Sequence, residues 1–284
     1  MIVQHEKYYP SVALSPYIQY YYFPNIDSQS VLTDHKNGFT VMPSTHVRMV
    51  LFLSEPTYRK VGMSKVFNDR FGLMGFSITP KTYFSHSPLR QMMVGFSPIG
   101  AQQFIDFPFA ELTDATATIK DIFPFSNEML INRLCEAENN LQRVKIAESF
   151  FLEKLKKIKP IDSRVHAVID FINQHSGAKS IKEISNELAI GDRTLKRLVN
   201  RHIGINIKLF SRLVRFQKAK ELLSEQNESL TSVGYRLGYF DQAHFVHEFS
   251  ESSGYTPGNY RKIKRSTVGS NFDSGNQIDR QVFI

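Results

Sequence analysis

Cysteine is almost absent from this sequence, whose 284 residues include only Cys135. A single cysteine excludes an intramolecular disulfide and a zinc cluster built from several cysteines, and it is typical of proteins in a reducing compartment. No run of about 18 apolar residues is present, so we predict no membrane-spanning helix. The first ten residues also lack the basic and apolar segments of a secretory signal. Together these features predict a cytoplasmic protein.

Catalytic and metal-binding motifs are missing as well. The sequence contains no G-x-S-x-G nucleophile elbow, no phosphate-binding loop and no dinucleotide-binding glycine motif. A metal site on a β-barrel needs clustered ligands, whereas His35, His46 and His86 each stand alone without an H-x-H pair. We therefore predict that the chain is not an enzyme and holds no metal or other cofactor.

Positive charge is in excess and is densest near the C-terminus. The formal net charge is +8, and residues 161–265 contain 17 Lys and Arg against 11 Asp and Glu. A basic face neutralises phosphates and releases their counterions, which gives affinity for DNA of any sequence. Many basic proteins bind no nucleic acid, so charge alone decides little.

The pattern of apolar residues divides the chain into four segments. Residues 1–125 contain short aromatic and β-branched runs between Pro, Gly, Ser and Asn, which predicts a β-rich domain. Residues 126–160 predict a helical linker, because apolar residues recur there at three- and four-residue steps. Residues 161–265 predict an all-α domain, and the polar residues 266–284 predict a flexible tail. The predicted fold class is therefore α+β.

The all-α segment repeats itself. Residues 180–188 (SIKEISNEL) match residues 229–237 (SLTSVGYRL) at an offset of 49, with the serine and the apolar positions in register. After a turn the offset becomes 50, so that Leu195 matches Phe245 and Gly204 matches Gly254. One inserted turn residue explains the change. Each half therefore contains a helix, a tight turn and a second helix.

Each half has the features of a helix-turn-helix unit. Ser180 and Glu183 have the spacing of a capping box at the start of a helix, and Asp241 can cap the second helix of the second half. Apolar residues on each second helix face inward, which leaves polar side chains outward. Arg, Gln and Lys carry groups that distinguish base edges in the major groove. The predicted DNA-binding residues are Arg193, Lys196, Arg197, Gln242, His244 and His247.

One long helix is predicted between the two units, at residues 206–224. About 18 residues at 1.5 Å each span roughly 27 Å. That length would hold two recognition helices near one turn of B-DNA apart, about 34 Å. The spacing therefore favours two successive major-groove segments on one face of double-stranded DNA.

In these residues the domain resembles the DNA-binding region of the AraC/XylS family of bacterial transcription regulators. The resemblance rests on residues 193–198 (RTLKRL), 213–219 (LVRFQKA), 237–245 (LGYFDQAHF) and 254–257 (GYTP). It implies that the outward positions of both recognition helices enter adjacent major grooves, and that the protein contacts RNA polymerase at a promoter. Two positions depart from the family pattern. Gly191 replaces the usual serine cap, and Gly234 replaces the usual alanine.

The N-terminal segment leaves three interpretations open. Residues 95–101 (GFSPIGA) resemble a β-rich, sometimes cupin-like sensory domain of the same family, which implies a small-molecule effector. Alternatively, this segment only forms a homodimer or contacts another protein. The helical stripe of the linker could supply that interface or could pack on its own sheet; its members are Leu141, Val144, Ala147, Phe151 and Leu155. A non-specific, architectural DNA-binding protein remains the alternative to a specific regulator.

Overall fold

The computed structural model describes residues 3–26, 39–123, 127–158, 160–224, 228–266 and 279–280. The N-terminal part contains strands and the C-terminal part contains helices, which confirms the predicted α+β class. The predicted flexible tail lies outside the described residues, apart from its first residue and two residues near its end.

Eleven strands are present in the described residues, and seven of them form one large sheet. Its order is β10-β7-β4-β9-β2-β1-β11, and every pair is antiparallel except β1 with β11. The pairs β3-β8 and β5-β6 form two small sheets. The bounds are β1 Val3–Tyr8, β2 Ile18–Ile26, β3 Phe39–Val41, β4 Arg48–Phe52, β5 Tyr58–Val61, β6 Ser64–Phe67, β7 Phe71–Met74, β8 Lys81–Tyr83, β9 Leu89–Phe96, β10 Thr116–Thr118 and β11 Asp279–Arg280.

Strand β4 shows why the sheet is buried on both faces. All five of its residues are buried, and successive side chains point to opposite faces of a strand. Met49 and Leu51 join the main hydrophobic core, whereas Val50 and Phe52 belong to a separate apolar cluster on the other face. The sheet is therefore covered on one face by a helix and on the other by the small sheets.

Strand β7 is followed by a close approach of two backbone segments. The strand ends at Met74, and the next residue lies beside the 3₁₀ helix Phe109–Leu112. Gly75 lies so close to this helix that a Cβ atom would be 1.8 Å from the carbonyl oxygen of Leu112. The backbone N–H of Gly75 donates a hydrogen bond to the carbonyl oxygen of Ala115. The sequence patterns predicted neither β5 nor β6, which form a hairpin with mostly exposed side chains. Within the described residues, only Tyr58, the buried first residue of β5, also forms an antiparallel bridge, to Phe84.

Eleven α-helices lie in the described part of the chain. Four precede residue 160: α1 Ala101–Phe104, α2 Ile119–Ile122, α3 Asn127–Glu136 and α4 Asn140–Leu155. The linker stripe lies on α4, where Val144, Ala147 and Phe151 are fully or almost fully buried. The Phe151 ring packs edge-on against Phe96 of the sheet, with centroids 5.7 Å apart. The stripe therefore packs on its own sheet, and only Leu141, at 40% exposure, remains largely open.

A buried carboxylate also attaches α4 to the sheet. Glu148 is only 2% exposed. Its Oε1 accepts a hydrogen bond from the Tyr21 hydroxyl at 2.8 Å and faces the Ser11 N–H at 3.3 Å. Burial, followed by the charge of Glu148 and this hydrogen bond, raises the pKa of Tyr21 well above its usual value. Because a buried carboxylate must be hydrogen-bonded, these two donors hold α4 against the sheet.

The remaining helices form the C-terminal part. They are α5 Ser163–Gln174, α6 Ile181–Glu187, α7 Asp192–Ile203, α8 Ile207–Ser224, α9 Leu230–Arg236, α10 Gln242–Ser253 and α11 Pro257–Ser266. Helices α6 and α9 have seven residues each, at an offset of 49. Helices α7 and α10 have twelve each, at an offset of 50. The structure thus confirms the repeat and the long helix, α8, between its halves.

The hydrophobic interior divides unevenly between the two repeats. One continuous core joins the sheet, α4, the first repeat and the first half of α8, as far as Val214. A second, separate core contains the end of α8, from Phe216 onward, together with α9, α10 and Tyr260 of α11. Met42 of the N-terminal part packs against this second core. The first repeat therefore shares its interior with the N-terminal part, whereas the second has its own.

Gly234 provides a test of local packing in the second repeat. It lies in the middle of α9, and a Cβ atom there would meet the Phe245 side chain at 3.4 Å, an ordinary contact. Glycine in a helix interior costs up to about 1 kcal/mol relative to alanine. We expect Gly234→Ala to raise the free energy of unfolding by roughly 0.5–1 kcal/mol, measured by urea denaturation. A lower stability would show that Phe245 has no room to adjust.

Candidate nucleic-acid interface

The first helix-turn-helix unit, α6 and α7, begins with the predicted capping box. The Ser180 hydroxyl accepts from the Glu183 N–H at 3.2 Å, and the Glu183 carboxylate accepts from the Ser180 N–H at 2.9 Å. Hydrogen bonds from Lys179 and from the Ser180 N–H lower the pKa of Glu183 to about 2. These contacts satisfy N–H groups that the first turn of a helix leaves without partners. The start of α6 is therefore fixed by local contacts.

The turn between the helices requires one residue with a positive φ angle. Ala189 has a φ of 51° in the first unit, and the equivalent Gly238 has a φ of 76° in the second. Glycine adopts this conformation without strain, whereas an L-residue such as alanine pays roughly 1–2 kcal/mol. The first unit therefore tolerates strain at the same backbone position where the second carries glycine.

Helix α7 presents its cationic side chains to solvent. Leu195 and Val199 are fully buried, while Arg193, Lys196 and Arg197 are exposed on the other side. Neither arginine forms an ion pair with any residue that the structure describes. Both guanidinium groups are therefore without a carboxylate partner among the described residues.

The start of α7 has no side-chain cap. Gly191 occupies the capping position with a φ of −59°, and no hydrogen bond from a side chain reaches the first turn. A Cβ atom at Gly191 would meet nothing within 4 Å, so a serine would fit. The weaker capping that the sequence predicts at this helix is thus present.

The second unit, α9 and α10, is capped at both helices. Ser229 accepts from the Ser232 N–H, and Asp241 accepts from the His244 N–H at 2.7 Å. Phe245 and Phe249 are buried and anchor α10 in the second core. The structure therefore supports the predicted anchoring of this helix.

Tyr239 stiffens the turn before α10. Its hydroxyl donates to the Glu248 carboxylate at 2.7 Å, and the Arg215 guanidinium lies over its ring, 5.1 Å from the centroid. Burial, followed by the hydrogen bond to Glu248, raises the pKa of Tyr239. These contacts tie the turn to α8 and α10, so the second recognition helix has a fixed position.

The three predicted residues of α10 are exposed but do not share one environment. Gln242 accepts a hydrogen bond from the Thr231 hydroxyl at 2.6 Å. The His244 ring packs edge-on against Tyr239, with centroids 5.2 Å apart, whereas His247 lies 3.8 Å from the Glu251 carboxylate. Gln242 and His247 line one open depression of about 650 Å³ on this helix, and His244 is not part of it.

Sequence reasoning missed the apolar members of this depression. It is also lined by Ala243, Val246, Ser250 and Glu251. Ala243, His247 and Glu251 follow one another at four-residue steps and are all exposed, opposite the buried Phe245 and Phe249. Helical spacing from His247 could have identified Ala243. The apolar character of Ala243 and Val246 instead suggested packing.

The two recognition helices differ in charge. Helix α7 contains Arg193, Lys196, Arg197 and Arg201 against the single carboxylate of Asp192. Helix α10 has no Lys or Arg and carries Glu248 and Glu251. Of these two helices, only α7 therefore carries the Lys and Arg side chains that phosphate neutralisation requires.

The N-terminal part contacts both units at equivalent points. Gly204 and Gly254, which end α7 and α10 with positive φ, occupy matching positions in the repeat. A Cβ atom at Gly204 would lie 2.7 Å from Cβ of Phe109, and one at Gly254 would lie 3.8 Å from Pro80. In the orientation that satisfies both groups, the Gln102 amide donates to the backbone carbonyls of residues 201 and 202 at the end of α7. The ends of both recognition helices therefore touch the β-rich part.

A metal-ligand cluster and a membrane-spanning helix have no counterpart in the described ranges. No three His, Cys, Asp or Glu side chains there lie close enough together to hold a metal ion. None of the helices in those ranges combines the length and the apolar character needed for a membrane crossing.

Two helix-turn-helix units joined by one helix, with polar recognition faces exposed, define a DNA-binding domain. Residues 184–263 match the family model described as "Helix-turn-helix domain". The C-terminal domain belongs to the AraC type of this class, as the sequence predicted, and it is homologous to bacterial transcriptional regulators. Residues 6–118 match a second model, "Domain of unknown function (DUF6597)".

The curated relatives match the chain over less than half of its length. The transcriptional activator RhaS of Escherichia fergusonii is 27% identical over 151 residues, which cover 49% of this chain and 54% of RhaS. The arabinose operon regulatory protein of Escherichia coli K12 is 24% identical over 130 residues, which cover 43% of this chain and 44% of that protein. The chain thus spans about half the length of these relatives.

Two solved structures also have some similarity to the chain. The DNA-binding domain of AdpA, crystallised with a target DNA, has 19% identity and a TM-score of 0.34, covering 36% of this chain and 93% of its own. ToxT from Vibrio cholerae has 13% identity and a TM-score of 0.43, covering 92% of this chain and 97% of its own.

Proposed function

We propose that this protein is a sequence-specific transcription regulator that places α7 and α10 in adjacent major-groove segments of a promoter. Residues 161–265 would bind the DNA, and residues 1–125 would regulate that binding through the linker at residues 126–160. Arg193, Lys196 and Arg197 would contact the first segment. Gln242, His244 and His247 would contact the second. The regulator would act in the cytoplasm and contact RNA polymerase.

The observation that carries this proposal is the matched pair of recognition helices. Each is held by a capped or anchored helix-turn-helix unit and exposes its polar face to solvent. Arginine can form two hydrogen bonds to guanine, and glutamine can do so to adenine. A non-specific DNA-binding protein needs cations on its surface but has no use for two such faces at a fixed separation. The arrangement therefore favours specific recognition.

The test is selection of bound fragments from a random pool of duplex DNA by the full-length protein, followed by sequencing. We expect a motif with two short conserved blocks whose centres lie about 10 base pairs apart, one helical turn of DNA. Specific sites are typically 10³–10⁷ times tighter than non-specific DNA, so enrichment should be strong. Binding without any enriched motif would support an architectural protein and contradict the proposal.

A cavity in the N-terminal part favours a second role, the sensing of a small-molecule effector. It has a volume of about 50 Å³ and lies between the large sheet and the small sheets, beside Val50, Phe52 and Met93. Polar groups reach it as well, including Arg48 and Gln91, which are mostly buried. Binding sites combine such apolar walls with a few polar groups. Small metabolites should raise the melting temperature of the wild type but not of Met93→Trp, which would fill the cavity.

The contacts at Gly204 and Gly254 offer a route for that regulation. A shift of Phe109 or Pro80 would press directly on the ends of the two recognition helices. Control through a homodimer is the other route that the sequence leaves open. In that case the interface would lie elsewhere than the α4 stripe, because Val144, Ala147 and Phe151 are buried within the chain.

A further inference from the structure

The depression on α10 has an unusual composition for a DNA-reading surface. Its walls are mainly apolar, with Ala243 and Val246 between Gln242 and His247. Ala243 is exposed and Val246 is partly exposed. Because α10 has no Lys or Arg, it cannot make the cationic contacts through which α7 would recognise guanine. Besides its two exposed histidines, α10 offers a base pair one amide and two apolar side chains.

This composition matches one base pair in particular. In the major groove thymine displays a methyl group, which pairs with apolar side chains, and adenine displays the donor and acceptor that glutamine recognises. The hydrogen bond from Thr231 holds the Gln242 amide by its oxygen, and the NH₂ group donates to no acceptor among the described residues. Oε1 retains a second lone pair that can accept from adenine. An amide beside an apolar surface therefore fits an A·T pair.

We propose that α10 reads A·T pairs, with Ala243 and Val246 packed on thymine methyl groups and Gln242 bonded to adenine. This inference rests on the proposed function and assigns different chemistry to the two units. The cationic α7 supplies the electrostatic affinity for DNA. Helix α10 contributes almost no electrostatic affinity and instead discriminates between base pairs. Glu251, at the edge of the depression, disfavours phosphate there and leaves the base edges as the target.

The test replaces single thymines by deoxyuridine, which lacks only the methyl group. The motif is first obtained with the full-length protein, and each thymine of its two blocks is then exchanged in turn in synthetic duplexes. Burial of one methyl group is worth about 0.8 kcal/mol, or roughly four-fold in affinity. We expect a loss of about that size at one or two thymines of the block bound by α10. Exchanges in the other block should change the affinity less than about two-fold.

A substitution of Val246 tests whether this side chain contacts the thymine methyl group. In Val246→Ala the loss caused by deoxyuridine at the contacted thymine should shrink toward none, because the methyl group no longer has a partner. Ser224→Ala, a change on the connecting helix α8, should leave the loss unchanged.

Each outcome separates this inference from the proposed function. A two-block motif in which no thymine responds to deoxyuridine would overturn the inference and leave the proposed function standing. A second block composed of G·C pairs, or a motif with one block only, would also overturn it. The absence of any motif would contradict the proposed function and the inference together.

Discussion

Replacing Arg193 and Arg197 together by alanine should lower the affinity for the selected DNA site at least thirty-fold. Both side chains are exposed on α7, and neither forms an ion pair in the described part of the chain. An arginine that reads a base is worth roughly 1–3 kcal/mol, so two give about 2 kcal/mol or more. The measurement is a fluorescence anisotropy titration at fixed salt, since the affinity of a protein for DNA depends steeply on salt.

Arg133→Ala is the matched control for this pair. Arg133 is also exposed and helical, but it lies on α3, outside both helix-turn-helix units. Its removal lowers the net charge by one, half the change in the double variant, and should change the affinity little. The melting temperature of the double variant should stay close to that of the wild type, because Leu195 and Val199 still pack inside. A loss of binding free energy in the control of half the size of that in the double variant would mean that only net charge matters.

The single variants distinguish two kinds of contact. If Arg197 reads a base, Arg197→Ala should cost about 1–3 kcal/mol and relax the preference at one position of the motif. If it binds phosphate, the affinity should fall equally for all DNA sequences. The slope of log affinity against log salt concentration should then decrease by about one. An unchanged affinity in a folded Arg197→Ala variant would remove Arg197 from the interface.

Glu148→Ala should lower the free energy of unfolding by roughly 2–4 kcal/mol. The substitution removes a buried acceptor from the Tyr21 hydroxyl and from the Ser11 N–H, and it leaves space between α4 and the sheet. A buried donor without a partner costs about 1–3 kcal/mol, and the lost packing adds to that. Urea denaturation followed by circular dichroism would measure the change.

Glu148→Gln is the control with the same shape. Its amide oxygen can still accept from Tyr21 and Ser11, so we expect a loss of about 1 kcal/mol. Adding Tyr21→Phe to Glu148→Ala should cost little more, because the hydroxyl has already lost its acceptor. Additive losses would show that the two residues stabilise the fold independently and that the hydrogen bond between them contributes nothing.

The sequence predicted local features well because their causes are local. The capping box of Ser180 and Glu183 and the inward face of α10 depend on residues a few positions apart, and the repeat is visible when the sequence is compared with itself. The order of the strands depends on pairings between distant segments, and no periodicity specifies it. The burial of Glu148 likewise depends on Tyr21, which lies 127 residues away in the chain. A glutamate on a helix gives no sign of such a partner.

The interface was predicted where its chemistry was polar and missed where it was apolar. Arg193, Lys196 and Arg197 stood out because charged residues on a helix face outward. Ala243 and Val246 belong to the exposed side of α10, but alanine and valine on a helix normally indicate packing. Only the position of the Phe245 and Phe249 anchors reveals which side of α10 is open.

The division of the hydrophobic interior into two cores also determines which part of the protein can unfold locally. The second recognition helix rests on a small aromatic core of its own, whereas the first shares the large core of the N-terminal part. Local opening of the segment from α9 to α11 would expose few of the contacts that hold α7. In a molecule opened in this way, α7 would remain bound to one half of an operator, and the other half would be released. Under the proposed function, this opening would exchange a full footprint on DNA for half of one without unfolding the whole chain.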